Sequence, residues 1–457
     1  MTERTAQEIA EAVRTGASTA RAEVEAALER IAERNGPVNA FTVVRTEEAL
    51  AEADALDAGG PGRDGPLAGV PVAVKEEYDV TGCVTTLGGR GNSTPVTRDG
   101  EVVRRLRAAG AVIVGRTTMP EFGQFVITES ETSGITRNPF DLTRSPGGSS
   151  GGSAVAVATG MVPIALGADG GGSIRIPASA CGIVGLKPTR GRVTLAPLAQ
   201  HWFGLVVAGG MSRTVADSAL LLDVIAGPMP TDRWSVALPN VPFADQASRM
   251  PGTLRISWTT KCVTPGLETD PEIVTATEEV ARALVRLGHR VRRTAPRWPV
   301  PTDAFLPQFY GGMAAEAGQV EHPELLEPRT RQTVRLARWA TPRVVERAIR
   351  RGEKVAAAFD ERLLSDADVL ILPTMPRLPP PVGLLDGLDT VRAQVATLPY
   401  VANTVITNVT GHPALSIPAG VSAGGLPIGV QLVARRGEEG LLLALAAQLQ
   451  AATGGTH

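Results

Sequence analysis

The sequence predicts an α/β protein: an α/β/α sandwich with a large mixed central sheet surrounded by helices. Three observations lead there. "GVPVAVK" holds an apolar run, Val70–Val74, with no polar alternation, the pattern of a strand buried on both faces. A helical segment from about Asp99 to Ala109, closed by Gly110, leads into "AVIVG", so the order is strand, helix, strand. Near the far end "ALSIPAG" and "PIGVQLVA" supply two more strand candidates, followed by a helix from about Glu438.

The elements follow in order. Residues 5 to 34 read as two helices, the first with Thr5 and Glu8 spaced for a capping box, the second with Val24, Ala27, Leu28 and Ile31 on one face. After the strand–helix–strand unit, "SAVAVATG" reads as a small-residue helix, "VPIALGAD" as a strand and "SRTVADSALLLDVIAG" as a helix ended by Gly227. Prolines crowd residues 227 to 252. Beyond them "LRISW", a helix within 270 to 288 and "RVRRT" form a further α/β pair, and residues 295 to 350 are Arg-rich and partly helical. A second proline cluster, "PTMPRLPPPVG", precedes the closing strands. Apolar strands continue on both sides of each cluster, so the clusters read as loops of one domain spanning 1–457.

Composition narrows the function. With 45 Lys+Arg against 47 Asp+Glu and no dense basic run, the chain lacks the electrostatic footprint of a nucleic-acid binder. Glycine and proline interrupt the most apolar windows before they reach the roughly 20 residues of a membrane span. No leader is visible at the N-terminus, and the expected location is cytoplasmic. Cys83, Cys181 and Cys262 are far apart, and His201, His289, His322, His412 and His457 are scattered. Neither a disulfide framework nor a metal site is expected, and no cofactor.

Chemistry concentrates in two Gly-rich turns that bracket a helix and a strand. "SPGGSSGGS", residues 145–153, and "GADGGGSIRIP", residues 167–177, each present serine hydroxyls among backbone N–H groups. The Walker pattern requires a lysine beside its second glycine, and none stands there. "GGSIR" lacks the glycine that a GxSxG elbow needs two residues after Ser173. A base for a serine is sought instead among four lysines, Lys75, Lys187, Lys261 and Lys354. Lys75 ends the most apolar strand, where desolvation favours the neutral amine that arginine cannot provide.

"GVPVAVKE", "TRNPFDLTRSPGGSSGGSAVAVATG", "LGADGGGSIRIPASACGIVGLKPTRGRV", "NVTGHPALSIPAG" and "GLPIGVQLVA" together resemble the amidase signature family of serine amidohydrolases, densely over about residues 66 to 195. The resemblance implies that fold and an amidohydrolase that cleaves the C–N bond of a small carboxylic amide through a seryl acyl-enzyme. It assigns Ser173 as nucleophile, Ser149 as proton relay across a cis Gly148–Ser149 bond, and Lys75 as base. Gly170, Gly171, Gly172 and Ser173 would form the oxyanion hole, with Asp169 and Arg175 as structural buttresses. Ser150 either bonds within the centre or caps the following helix. Cys181 reads as a packed small residue and His412 as a loop-ordering one.

The same resemblance divides the chain into N-terminal helices (1–60), a signature core (61–230), a variable substrate-side region (231–365) and C-terminal strands and helix (366–457) that complete the sheet. Met119 to Ile135, Trp202–Phe203 and the region from about 300 to 400 are candidates for the pocket. Two positions depart from the commonest pattern: Ala168 and Gly170 replace larger residues and are expected to loosen the turn or widen the pocket. Glu76 stands where aspartate is more frequent. The partner implied is a small-molecule amide, with a homodimer left open. Two alternatives stand: an A-type subunit of glutamyl-tRNA amidotransferase, and a catalytically silent binding protein of the same fold.

Overall fold

In the computed structural model, which describes residues 3–198 and 201–452, one 11-stranded mixed sheet runs through the molecule. In chain order the strands are β1 (Phe41–Val44), β2 (Pro71–Lys75), β3 (Val112–Thr117), β4 (Glu129–Ser130), β5 (Gly134–Ile135), β6 (Ile164–Asp169), β7 (Val184–Lys187), β8 (Val207–Ser212), β9 (Arg255–Trp258), β10 (Arg290–Arg293), β11 (Val369–Pro373), β12 (Ala414–Val421) and β13 (Pro427–Val433). The order across the sheet is β1-β3-β2-β6-β8-β7-β12-β13-β11-β9-β10, with β4 and β5 paired separately. β2 runs parallel to both β3 and β6. β8 is antiparallel to β6 and to β7, which makes the sheet mixed as expected.

The unbroken apolar runs have a direct cause. Val72 and Val74 of β2 enter one core cluster with Leu106, Leu222 and Leu445, while Ala73 enters another with Val24, Ile31 and Val155. Each face of β2 therefore meets helices, and neither can be polar. Helices cover the sheet on both sides, and the two clusters are the two seams of the sandwich.

Local signals at helix ends are realised. Thr5 Oγ1 accepts from Glu8 N at 3.2 Å and Thr5 N donates to Glu8 Oε2 at 2.8 Å, closing the capping box of helix Ala6–Thr15. The helices read at 99–109, 270–288 and from 438 are Glu101–Ala108, Pro271–Arg286 and Glu439–Ala452. The Arg-rich stretch holds Thr302–Ala317, Pro328–Leu336 and Pro342–Phe359. Six strands, β1, β4, β5, β7, β8 and β11, have no counterpart in the sequence reading. β8 contains Gly209 and Gly210, which look like a turn. A Cβ at Gly209 would lie 2.3 Å from Leu186 O and one at Gly210 2.1 Å from Leu221 Cδ2, so close packing excludes side chains there. Among the described residues no helix is long and apolar enough to cross a membrane, and His457 lies outside them.

Candidate active site

Parallel pairing of β2 with β6 sets their C-terminal ends side by side, with Val74 opposite Leu166. β2 therefore delivers Lys75 at the sheet edge where the 170–174 turn follows β6. Ser173 sits in that turn, ahead of helix Arg175–Ala180, and Ser149 precedes helix Gly151–Ala158. The Gly148–Ser149 peptide bond is cis. Ser150 N donates to Ser173 O at 3.1 Å, which ties the two Gly-rich turns together.

Lys75 Nζ donates to Ser149 Oγ at 2.9 Å. Lys75, Ser149 and Ser173 all line one small cavity, with Phe122, Gly123, Ala168, Gly170, Trp202 and Val206 around them. All three are buried, Lys75 to 1 % exposure and Ser173 to 6 %. Residues 74 and 98 positions distant from Lys75 thus converge on it.

The turn is held from beneath by charge. Asp169 accepts from Gly172 N at 2.8 Å, Ile174 N at 3.2 Å and Arg175 Nε at 2.9 Å, all fully buried. Burial works against its carboxylate, but Arg175 outweighs burial and holds its pKa down at about 2. Arg175 reaches on to Thr407 Oγ1 (2.7 Å), Asn408 Oδ1 (2.8 Å) and Gln431 Oε1 (2.9 Å), so the turn is anchored to helix Val405–Thr410 and to β13. Thr404 Oγ1 donates to Gly171 O at 2.5 Å, and Asn408 Nδ2 to Asp169 O at 2.7 Å.

Several expectations need revision. The Gly172 N–H, assigned to the oxyanion hole, is engaged by Asp169. Ser150 makes no side-chain cap; its Oγ donates to Ala168 O at 3.2 Å and accepts from Ala168 N at 3.4 Å, so it braces the turn. The space expected to open at Gly170 is filled: a Cβ there would lie 2.7 Å from Val206 Cγ2 and 2.9 Å from Trp202 Cε3. Glycine at 170 admits the indole rather than widening the pocket. The Glu76 carboxyl lies by Thr42, Thr86 and Arg116, and burial raises its pKa.

The remaining assignments fall as follows. Cys181 is buried, and burial pushes its thiol well above the ordinary range. His412 lies between Thr410 Oγ1 (2.8 Å) and Asp360 Oδ1 (2.9 Å) and orders its loop. From the three pocket regions come Phe122 and Gly123, Trp202, and Phe305, whose ring lies 3.6 Å from the place of a Gly171 Cβ.

Sequence reasoning missed Glu77 and His201, which also line the cavity. Glu77 Oε1 stands 2.9 Å from Lys75 Nζ. His201 Nδ1 stands 2.6 Å from Glu316 Oε1 and its Nε2 3.8 Å from Glu77 Oε2. Burial disfavours the imidazolium, but Glu316 and Glu77 outweigh it and raise the pKa of His201 above its ordinary value. The second acidic residue after Lys75 was the available signal for Glu77; nothing local marked His201 or Glu316.

Residues 22–443 match the family model described as Amidase. A putative amidase, AmiB2, of Mycobacterium tuberculosis is 42 % identical over 97 % of this chain and 94 % of its own length. The 6-aminohexanoate-cyclic-dimer hydrolase of Paenarthrobacter ureafaciens is 38 % identical over 97 % of this chain and 93 % of its own. Among solved structures, a 6-aminohexanoate cyclic dimer hydrolase complexed with substrate superposes with a TM-score of 0.91 at 35 % identity, covering 98 % of this chain and 97 % of that one. A bacterial aryl acylamidase of the amidase signature enzymes family superposes with a TM-score of 0.87 at 27 % identity, covering 98 % of this chain and 96 % of that one. The chain belongs to the Amidase family and is an amide-hydrolysing enzyme.

Proposed function

We propose that this enzyme cleaves small, uncharged carboxylic amides through a seryl acyl-enzyme on Ser173, with water as the final acceptor. The observation that carries the reading is the 2.9 Å contact from Lys75 Nζ to Ser149 Oγ inside the cavity that Ser173 also lines. Neutral Lys75 takes the proton of Ser149 as Ser149 takes that of Ser173, and Ser173 Oγ attacks the amide carbonyl. The amides of Gly170, Gly171 and Ser173 are the donors proposed for the oxyanion, with Gly172 N–H holding Asp169 in place. Ser149 then returns the proton to the leaving nitrogen, the C–N bond breaks, and water hydrolyses the ester by the same relay. The expected place of action is the cytoplasm, in keeping with three free cysteines.

A glutamine-using amidotransferase must hold an α-carboxylate. Among the described residues, Lys75 is the one Lys or Arg lining either the catalytic cavity or the larger cavity beside it, which instead carries Glu77, Asp79, Glu316 and Glu321. That lining favours a hydrolase of neutral amides, as do relatives named for a cyclic amide and for aryl acylamides. The test is release of ammonia or amine by the purified protein, with glutamine and neutral amides compared as kcat/KM in the presence of a chelator. Turnover of neutral amides by the isolated chain is expected. Activity confined to glutamine, or requiring a partner and acylated tRNA, overturns the reading. Ser173→Ala should lower turnover by a factor on the order of 10³ or more.

A further inference from the structure

The base of this reaction has a second polar neighbour besides the serine it serves. Lys75 must be free to accept a proton, and Glu77 places a carboxylate oxygen 2.9 Å from its Nζ. The arrangement follows from the chain path: Tyr78 N donates to Lys75 O at 3.2 Å, so the backbone turns just after β2 and brings Glu77 back onto the lysine two residues before it. Nζ then has two neighbours, the Ser149 hydroxyl and Glu77. Ser149 leads to the nucleophile. Glu77 leads elsewhere.

Its other oxygen, Oε2, faces His201 Nε2 at 3.8 Å, and the opposite ring nitrogen of His201 stands 2.6 Å from Glu316 Oε1. Glu316 Oε2 accepts from Trp202 Nε1 at 3.2 Å, which fixes the carboxylate. Side-chain exposures of 9 % for Glu77, 10 % for His201 and 15 % for Glu316 mark a line running from interior towards solvent. Glu77 and His201 line both the catalytic cavity and its larger neighbour, whereas Glu316 lines the neighbour alone. The titratable groups facing this line are Lys75 and Tyr78 from the strand end and its turn, His201 from the loop before Trp202, and Glu316 from helix Thr302–Ala317. Asp79 and Glu321 lie farther out in the larger cavity. Tyr78 takes no part, since its hydroxyl donates to Gly167 O at 2.9 Å.

We propose that Glu77 is a positioning residue for amide cleavage: it holds Lys75 against Ser149 and, with His201 and Glu316, forms the path by which the resting proton of the lysine leaves for the side cavity. The inference rests on Lys75 being the base. The proposed relay starts with the proton on Lys75 Nζ, 2.9 Å from Glu77 Oε1. An N–H bond of Lys75 breaks as Glu77 takes the proton; Glu77 passes it to His201 Nε2, and the imidazolium gives its Nδ1 proton to Glu316 and thence to water. One proton is released, and Lys75 is left neutral beside Ser149. A closing movement of about 1 Å brings Glu77 and His201 into hydrogen-bond range.

The experiment is the pH profile of kcat/KM for a neutral amide, read together with the pH dependence of Ser173 labelling by a fluorophosphonate, which needs no turnover. Glu77→Gln keeps an oxygen beside Nζ and removes the charge. The rising limb of both profiles should move to lower pH by about one unit or more, because the substitution removes the carboxylate that stands 2.9 Å from Nζ. Glu77→Asp should retain the original midpoint with a reduced plateau. His201→Ala should slow turnover at low buffer concentration and be rescued by added imidazole. A Glu77→Gln enzyme whose rate falls equally at every pH, with the midpoint unmoved, overturns the proposal and leaves Glu77 a packing residue. If Glu77→Gln does not fold, the Glu77→Asp midpoint and the imidazole rescue decide it, and failure of both overturns it. The failure of the base assignment reads differently: Lys75→Arg would then retain near-normal labelling of Ser173.

Discussion

Lys75 and Lys187 occupy the same kind of place. Each is the last residue of a strand, each is buried to 1 % exposure or less, and each is one of four lysines in the chain. Scarcity and burial therefore do not choose between them; the partner of Nζ does. Lys187 Nζ donates to the carbonyl of Pro188 at 2.9 Å, and burial, aided by Arg175, pushes its pKa well below the ordinary value. Lys75 meets a hydroxyl that lies beside a second serine turn. Lys75→Arg keeps the charge in place but offers no lone pair, so burst-phase acylation should fall by about 10³ or more while thermal unfolding shows the fold retained.

At the scale of the element, the turn after β6 works because its neighbours are fitted to its glycines. Gly172 adopts φ +131, and a Cβ there would lie 2.4 Å from Thr404 Oγ1. At Gly170 the backbone is ordinary and the constraint is steric. Gly170→Ala should displace Trp202 from the cavity wall and lower kcat by about tenfold or more, with a red shift of the tryptophan emission maximum as the check on the indole. A second element carries a titration. Glu327, at the start of helix Pro328–Leu336, donates its N–H to Glu121 Oε2 at 2.9 Å, and Glu121 adjoins Phe122 of the cavity. Burial, then the neighbouring Glu121, raises the pKa of Glu327 to about 7. A raised carboxyl pKa means that the folded state binds a proton the unfolded state has released, so its contribution is full below about pH 4.3 and lost as pH rises through about 7. Stability should decline from pH 5 to 8, and Glu327→Gln should flatten that decline in urea titrations across the range.

At the scale of the molecule, the site depends on contacts that span more than half of the chain. Arg175 joins Asp169 to Thr407, Asn408 and Gln431, partners 232, 233 and 256 positions away from it. Because the Asp169 pKa is held at about 2, its stabilisation is complete at neutral pH and is lost only as pH falls below about 4. Asp169→Asn leaves a buried guanidinium without its counter-charge and should cost roughly 3–5 kcal/mol at pH 7, measured by urea unfolding.

The same three scales separate what the sequence by itself determined from what only the tertiary structure decided. The doubly buried strands, the Thr5–Glu8 capping box and the two Gly/Ser turns were legible, because each depends on periodicity or backbone freedom that neighbouring residues express. The roles of Lys75, Ser149 and Ser173 were legible only through the resemblance of the motifs around them to a known family. β8 was not, because its glycines answer to Leu186 and Leu221 in other elements. Nor was the filling of Gly170 by Trp202, the engagement of the Gly172 amide by Asp169, or the line from Glu77 through His201 to Glu316. Those are side-chain encounters between segments far apart in the chain. Local sequence sets which backbone conformations are favoured, but which groups meet across a closed core is fixed only when the whole sheet and its helices pack.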